Sequence, residues 1–474
     1  MKKYLFILIL VLTALLGGCA SQQPEVTTEP TGTKPAITET TGAVYQPYAG
    51  SLENYSYYYA DGRDLEWEED VLYTAEAFLG GISKSGHPLL VNEDFQILFA
   101  MSSSTMDYST FYDEALRTQF IQDINELIPR ITELEDEQIL LFLQKAIAKL
   151  GDLNSYVHFP MDQVYPIFFT AFFTDRGSEL RSVMMPKESS DLLLKKPVSI
   201  NGIPIGEVIQ KLMDYCSHEN EYAAYCSISQ FLSQPAYLEA IGITDGNSPV
   251  SFRFLDAEGK KIDLSLSPVK YADLKADDLA GYSSVSIRDK DNSCNYWWEQ
   301  LEDEQALYIR FNLIEEDSNL VYSSFTQQLQ QVSKGKTVIV DLRGTTGGTF
   351  HSSLSIDLGK LLSQLDGQSY VLLDASSNNT AILLSSCLRQ RSPNTVLVGT
   401  PGGQPANFFA SYQSHTMPNS NCGFSLSDFF WFGDENDTSN ALMPDIVLNQ
   451  TVADFMEGKD TVLEAILSGN LLNG

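Results

Sequence analysis

From Ala306 onward the chain alternates short apolar runs with amphipathic stretches, and the last three runs each open into a Gly- or Ser-rich turn: TVIVDLRGTTGG from Thr337, YVLLDASSNNTA from Tyr370 and TVLVGTPGG from Thr395. Between them FTQQLQQVSK, SSLSIDLGKLLSQL and TAILLSSCLRQR read as helices. Such alternation predicts an α/β core with a mostly parallel sheet and helices over its faces. In that architecture the turns after the strands gather at one rim of the sheet, where ligands bind. At the central turn the chain presents Asn378 and Asn379.

A length of 474 residues with 43% hydrophobic and 11% aromatic residues exceeds one core and implies several domains. Residues 63–155 read as a helical amino-terminal domain, clearest in ELEDEQILLFLQKAIAKL, which Gly151 ends. Over 156–275 the period shortens towards two, in runs such as YPIFFTAFF, SVMM and KPVSING, with one helix through GEVIQKLMDYCS. SFRFLD and KIDLSLS read as a hairpin closed by a Gly-containing loop, so this part is expected to be a small β-rich module framing a groove. Residues 276–304 are polar and acidic, an expected connector, and 305–474 form the α/β core.

At the amino terminus Lys2 and Lys3 precede an apolar run from Leu5 to Leu16, followed by Gly17, Gly18 and Cys19. This reads as an export signal over 1–18, too short for a comfortable membrane span. The small residues before Cys19 resemble a bacterial lipobox, which implies lipid on Cys19 and an extracytoplasmic protein anchored to the bacterial membrane. Residues 19–62, rich in Thr, Pro and Glu, are expected to be a disordered tether.

Without residues 1–18 the chain carries 28 basic against 62 acidic side chains, a formal charge of −34. That field disfavours nucleic acid and repels anionic headgroups from the body of the protein. Besides Cys19 there are Cys216, Cys226, Cys294, Cys387 and Cys422, with no CxxC. Cys216 and Cys226 are either a disulfide or two free thiols. The five histidines lack ligand spacing, so neither a metal nor another cofactor is expected. A G-x-S-x-G elbow, a Walker loop, a dinucleotide fingerprint and H-E-x-x-H are all absent from the sequence.

Six segments in order carry a resemblance: LGDLNSYV from Leu150, VSINGIPIGEVI, IVDLRGTTGG, YVLLDASSNNTAILL, VLVGTPGG, and LMPDIVLNQTVADFMEGKDTVLEAIL near the end. They resemble the L-x-D-x-H-T, substrate-domain, D-L-R-x-N-x-G-G, nucleophile-turn, V-G-E-P-T-G-G and P-D-I…G-x-D-x-V-L-E segments of the C-terminal processing, or tail-specific, serine peptidase family, particularly its tricorn-like and lipoprotein branches. The resemblance covers roughly 140–470. It implies a ClpP/crotonase-like core, no cofactor, and a peptide or protein tail as partner.

Laid on that pattern, Asn379 occupies the nucleophile's place, Asn154 that of the histidine base, and Thr400 that of the glutamate of the Gly-Glu pair. The lysine base of the other branch would lie near Gln404, and no lysine occurs between Lys360 and Lys459. A carboxamide cannot attack a peptide carbonyl, and loss of a nucleophile lowers turnover about a millionfold in a well-studied serine peptidase. Gly347 and Gly348 resemble the oxyanion turn, or serve only a tight strand-to-helix connection. Fallback candidates are Ser377 and Ser376 as nucleophile, otherwise turn or N-cap serines, and His158 as base. An extended segment would set His158 about 13 Å from Asn154. The aromatic run at Phe429, Phe430, Trp431 and Phe432 either packs a core or lines a groove. The expectation is a peptide-binding, catalytically impaired homologue; the alternatives are an active serine endopeptidase using Ser377 or Ser376, and a structural envelope lipoprotein.

Overall fold

The computed structural model describes residues 136–471, apart from 159–162, 257, 283–286, 302–304, 346, 411–412, 417–422, 428 and 435, together with scattered positions between 119 and 134. The expected signal segment, tether, Cys19 and most of the helical amino-terminal domain lie outside the described residues.

Helix α1 (Asp136–Ala148) ends before Gly151, which has φ +70° as the stop requires. A turn then leads into β1 (Tyr156–His158). The following module contains β2 (Gln163–Val164), β3 (Phe168–Thr174), β4 (Gly177–Pro186), β5 (Pro197–Ile200) and β6 (Ile203–Pro204). Helices α2 (Ile205–Met213), α3 (Glu221–Phe231) and α4 (Pro235–Ala240) come next, then β7 (Val250–Leu255), β8 (Lys261–Leu266), β9 (Val269–Lys270) and β10 (Leu279–Gly281). Strands β6, β5, β7 and β8 form one antiparallel sheet in that order. The expected hairpin is β7 with β8, Val250 opposite Leu266 and Leu255 opposite Lys261. Its loop is held by Asp256 Oδ1, which accepts from Lys260 N at 2.7 Å.

The module is more helical than its strand-like runs predict. EYAAYCSISQF forms α3, capped by Asn220 Oδ1 accepting from Ala223 N at 3.0 Å. Its Ala224, Ile228 and Phe231, three and four apart, pack with Val208, Leu212, Phe252 and Phe254 in the module core.

The carboxy-terminal core is built on β11 (Tyr296–Leu301), β12 (Ala306–Phe311), β13 (Thr337–Asp341), β14 (Ser369–Leu373) and β15 (Thr395–Gly399). Helices α5 (Tyr322–Val332), α6 (Ser352–Ser363) and α7 (Thr380–Arg391) connect the last four strands. After β15 come β16 (Asn407–Ala410), β17 (Gln413–Thr416), β18 (Gly423–Leu426), β19 (Phe429–Phe432) and β20 (Ile446–Val447), then α8 (Val452–Met456) and α9 (Thr461–Leu467). The main sheet runs β11-β12-β13-β14-β15-β20. Every pairing is parallel except β11 with β12. The mostly parallel α/β sheet is as the alternation predicts. The stretch expected as an irregular connector supplies β11, an edge strand whose Tyr296 is buried in the core; antiparallel pairing with β12, and no in-and-out alternation of its own, makes it a strand.

The two sides of the sheet follow strand alternation. Leu307, Ile309, Val338, Val340, Val371, Leu373 and Leu397 pack against α5, α6 and α7. Tyr308, Ile339, Leu372 and Val398 face Val462, Leu463 and Ile466 of α9. Below the sheet rim lies a buried ion cluster: Arg343 Nη2 pairs with Asp341 Oδ2 at 2.6 Å and with Asp460 Oδ2 at 2.7 Å. Asp460 also caps α9, accepting from Leu463 N at 3.0 Å, so the D-L-R strand end fixes the closing helix.

Candidate functional site

The turn after β14 is laced to the turn after β13. Asp374 Oδ1 accepts from Ser376 N at 3.0 Å and from Gly344 N at 2.9 Å. Ser377 Oγ donates to Leu342 O at 2.9 Å and accepts from Asp374 N at 3.0 Å. Asn378 N reaches Thr345 O at 3.0 Å, and Thr380 Oγ1 donates to Gly347 O at 2.8 Å. These bonds force Asn379, the residue before α7, to φ +53° and ψ −116°. That region costs a non-glycine residue on the order of 1–3 kcal/mol.

On the other wall, Asp152 Oδ1 accepts from Asn154 N at 2.9 Å and from Ser427 Oγ at 2.7 Å, and Asp152 also accepts from Ser155 Oγ. Burial pushes the Asp152 carboxyl above its usual range although the Ser155 and Ser427 bonds oppose it. The turn so formed aims Asn154 at the nucleophile turn. Asn154 Nδ2 donates to Asn379 Oδ1 at 2.8 Å and to Phe409 O at 2.8 Å. The two residues drawn from separate motifs, 225 positions apart, are in direct contact.

The backbone N–H of Asn379 donates to Gln404 Oε1 at 2.7 Å. Gln404 Nε2 donates in turn to Glu219 Oε1 at 2.9 Å, and Glu219 Oε2 accepts from Leu153 N at 3.1 Å. Burial, and next the Asp152 carboxylate, push Glu219 well above the ordinary carboxyl range. Asn220, beside Glu219, donates to Gly402 O and Asn440 O at 3.0 Å each, docking α3 on the turn that carries Gln404.

Other singled-out residues go elsewhere. Thr400 Oγ1 donates to Asn449 Oδ1 at 2.7 Å. Ser377 is fully buried, its hydroxyl committed within the turn. Ser376 Oγ lies 3.7 Å from Cys226 Sγ. Cys216 and Cys226 are separate thiols, and burial raises both. His158 Nε2 meets Ser425 Oγ at 2.7 Å and its ring stacks on Tyr156, while burial lowers its pKa. Gly348, at φ +113°, passes so close to Ile314 that a Cβ would lie 2.2 Å from its carbonyl oxygen. A Cβ at Gly347 would meet nothing within 4 Å. Trp431 of β19 is half-buried against the helical side of the main sheet and meets Phe350 edge-on, the rings 6.4 Å apart.

The site as it stands is a set of neutral carboxamides, Asn154, Asn379 and Gln404, with the carboxyls of Asp152 and Glu219 behind them. A carboxamide donates and accepts hydrogen bonds but supplies neither an attacking oxygen nor a proton acceptor of useful basicity. Sequence patterns point to Asn154 and Asn379 and to the neighbourhood of Gln404. They give no sign of Glu219, whose partner is 185 residues away on another module.

No protein-family model matches the sequence, and no curated protein matches it in sequence. Among solved structures, mature CPAF is similar with a TM-score of 0.54 at 12% identity, over 80% of this chain and 97% of its own. Mature CPAF complexed with lactacystin gives 0.52 at 12% identity, over 86% and 98% respectively. The tricorn protease is similar at a TM-score of 0.37 and 13% identity, over 81% of this chain and 37% of its own. At this identity the likeness is one of fold: the chain shares the architecture of mature CPAF over most of the length of both.

Proposed function

We propose that this chain is a lipid-anchored, extracytoplasmic relative of the tail-specific peptidases that holds extended peptides or protein tails without cutting them. The observation that carries this reading is the 2.8 Å bond between Asn154 and Asn379. In the motif correspondence these two residues stand for a base and a nucleophile, and their contact, in a fold that CPAF shares, supports a pair of carboxamides in place of the reacting groups. The Gly347–Gly348 turn supports the binding half of the reading: among the described residues neither amide donates a hydrogen bond, and peptide recognition through main-chain hydrogen bonds needs such donors. Anchoring rests on the lipobox-like segment at Cys19.

The alternative, an active endopeptidase using Ser377 or Ser376, has less support. The Ser377 hydroxyl is buried and bonded to Leu342 O, and the hydrogen-bond partner of His158 is Ser425. A serine-reactive fluorophosphonate probe applied to the mature protein tests the choice. No stoichiometric label, together with saturable binding of unfolded or C-terminally apolar peptides, is the expected result; a stoichiometric covalent adduct on any serine overturns it. Partition of the expressed protein into a detergent phase, lost in Cys19→Ser, checks the anchor.

A further inference from the structure

In serine peptidases the backbone N–H of the nucleophile is commonly one of the donors to the substrate carbonyl oxygen. The N–H at the corresponding place here, that of Asn379, is already taken by Gln404 Oε1 at 2.7 Å. Gln404 is completely buried, and its Nε2 is held by Glu219 at 2.9 Å, so both ends of its carboxamide are fixed. Next to it Asn378, only 5% exposed, has an Oδ1 with no donor among the described residues. A Cβ at Gly403, the residue before Gln404, would lie 2.1 Å from that oxygen. One donor is therefore occupied by a side-chain copy of a peptide carbonyl, and one buried acceptor beside it stands empty-handed.

We propose that Gln404 is a built-in plug. Its side-chain carbonyl takes the position of a ligand's backbone carbonyl on the Asn379 N–H, and Glu219 latches it. A bound peptide displaces Gln404, giving its C=O to Asn379 N–H and a backbone N–H to Asn378 Oδ1. The inference rests on the peptide-binding reading and adds to it an autoinhibitory contact. A plug closed in nine of ten molecules weakens apparent affinity about tenfold.

The test is fluorescence anisotropy on the full-length chain in detergent micelles, with a fluorescein-labelled Ala-Ala-Leu-Ala-Ala peptide carrying a free carboxyl terminus. Wild type, Gln404→Ala and Glu219→Ala are compared, with thermal melting as the check on folding. About tenfold tighter binding in Gln404→Ala, and a smaller gain in Glu219→Ala, is expected. If Gln404→Ala does not fold, Glu219→Ala decides, since it frees the plug and leaves it in place. Binding by wild type with no gain in the folded variants overturns the plug alone. Binding by none of them overturns the peptide reading and the plug with it.

Discussion

Arg343 and Asp460, 117 residues apart, face each other through two hydrogen bonds of 2.8 and 2.7 Å from Nη1 and Nη2 to the two carboxylate oxygens. The same guanidinium also reaches Asp341, so one arginine joins a strand end to the cap of the last helix. Paired planar forks of this kind are among the stronger charge-assisted contacts, and removing one partner from such a buried set costs about 3–5 kcal/mol.

The cluster makes the core acid-sensitive. Burial alone would raise Asp341 and Asp460, but the Arg343 charge outweighs it and holds both carboxyls below their usual range. Carboxyls lowered in the folded state contribute stability that is present above the unfolded value of about 3.9 and is lost as pH falls through the folded value. Urea unfolding from pH 7 downward should show wild-type stability falling below about pH 4. Arg343→Met should be about 3–5 kcal/mol less stable at pH 7 with a flatter acid limb; a variant curve parallel to wild type would remove Arg343 as the cause.

Two adjacent glycines should answer differently to one methyl group. At Gly348 the added Cβ meets the Ile314 carbonyl oxygen at 2.2 Å in a backbone of φ +113°, so Gly348→Ala should lose at least about 2–4 kcal/mol by thermal or urea unfolding. At Gly347 the space is open, and Gly347→Ala should stay within about 1 kcal/mol of wild type. Peptide binding measured on Gly347→Ala then tells whether ligand approaches that turn: a weaker complex with unchanged melting marks contact, and equal affinity marks a turn that serves the fold alone.

Ser377 separates structure from chemistry. Its hydroxyl bridges Leu342 O and Asp374 N inside the turn, so Ser377→Ala should lower stability by about 1–3 kcal/mol through a buried unpaired group. Neither peptide binding nor fluorophosphonate labelling should change. Loss of measurable hydrolysis in this variant would instead make Ser377 a nucleophile.

Much of this was legible because strand alternation and motif order are local. The runs at Val338, Val371 and Leu397 announced the sheet, and LGDLNSYV and SSNNT announced Asn154 and Asn379, whose side chains proved to touch. What escaped notice depends on distant partners. Tyr296–Leu301 becomes a strand only by pairing with Ala306–Phe311, and α3, started by the Asn220 cap, falls in a stretch read only as part of a β-rich module. Glu219 acquires its place through the Leu153 N–H and through Gln404, a side chain whose neighbourhood the sequence marks by the lysine it lacks. Composition carries none of these long-range pairings.

The geometry also sets out a rebuilding experiment. Asn154 Nδ2 already touches both Asn379 Oδ1 and Phe409 O at 2.8 Å. A histidine at 154 donating one ring N–H to Phe409 O would keep its other nitrogen as acceptor, facing residue 379. A serine at 379, in the same strained turn, would present its hydroxyl to that nitrogen, which is the contact nucleophile activation needs. Asn154→His/Asn379→Ser should therefore gain fluorophosphonate labelling that either single change lacks, and adding Gln404→Ala should speed it by freeing the 379 N–H for the developing oxyanion. Labelling that stays at the wild-type level in a double variant with native melting would show that this frame no longer aligns the two positions for acyl transfer.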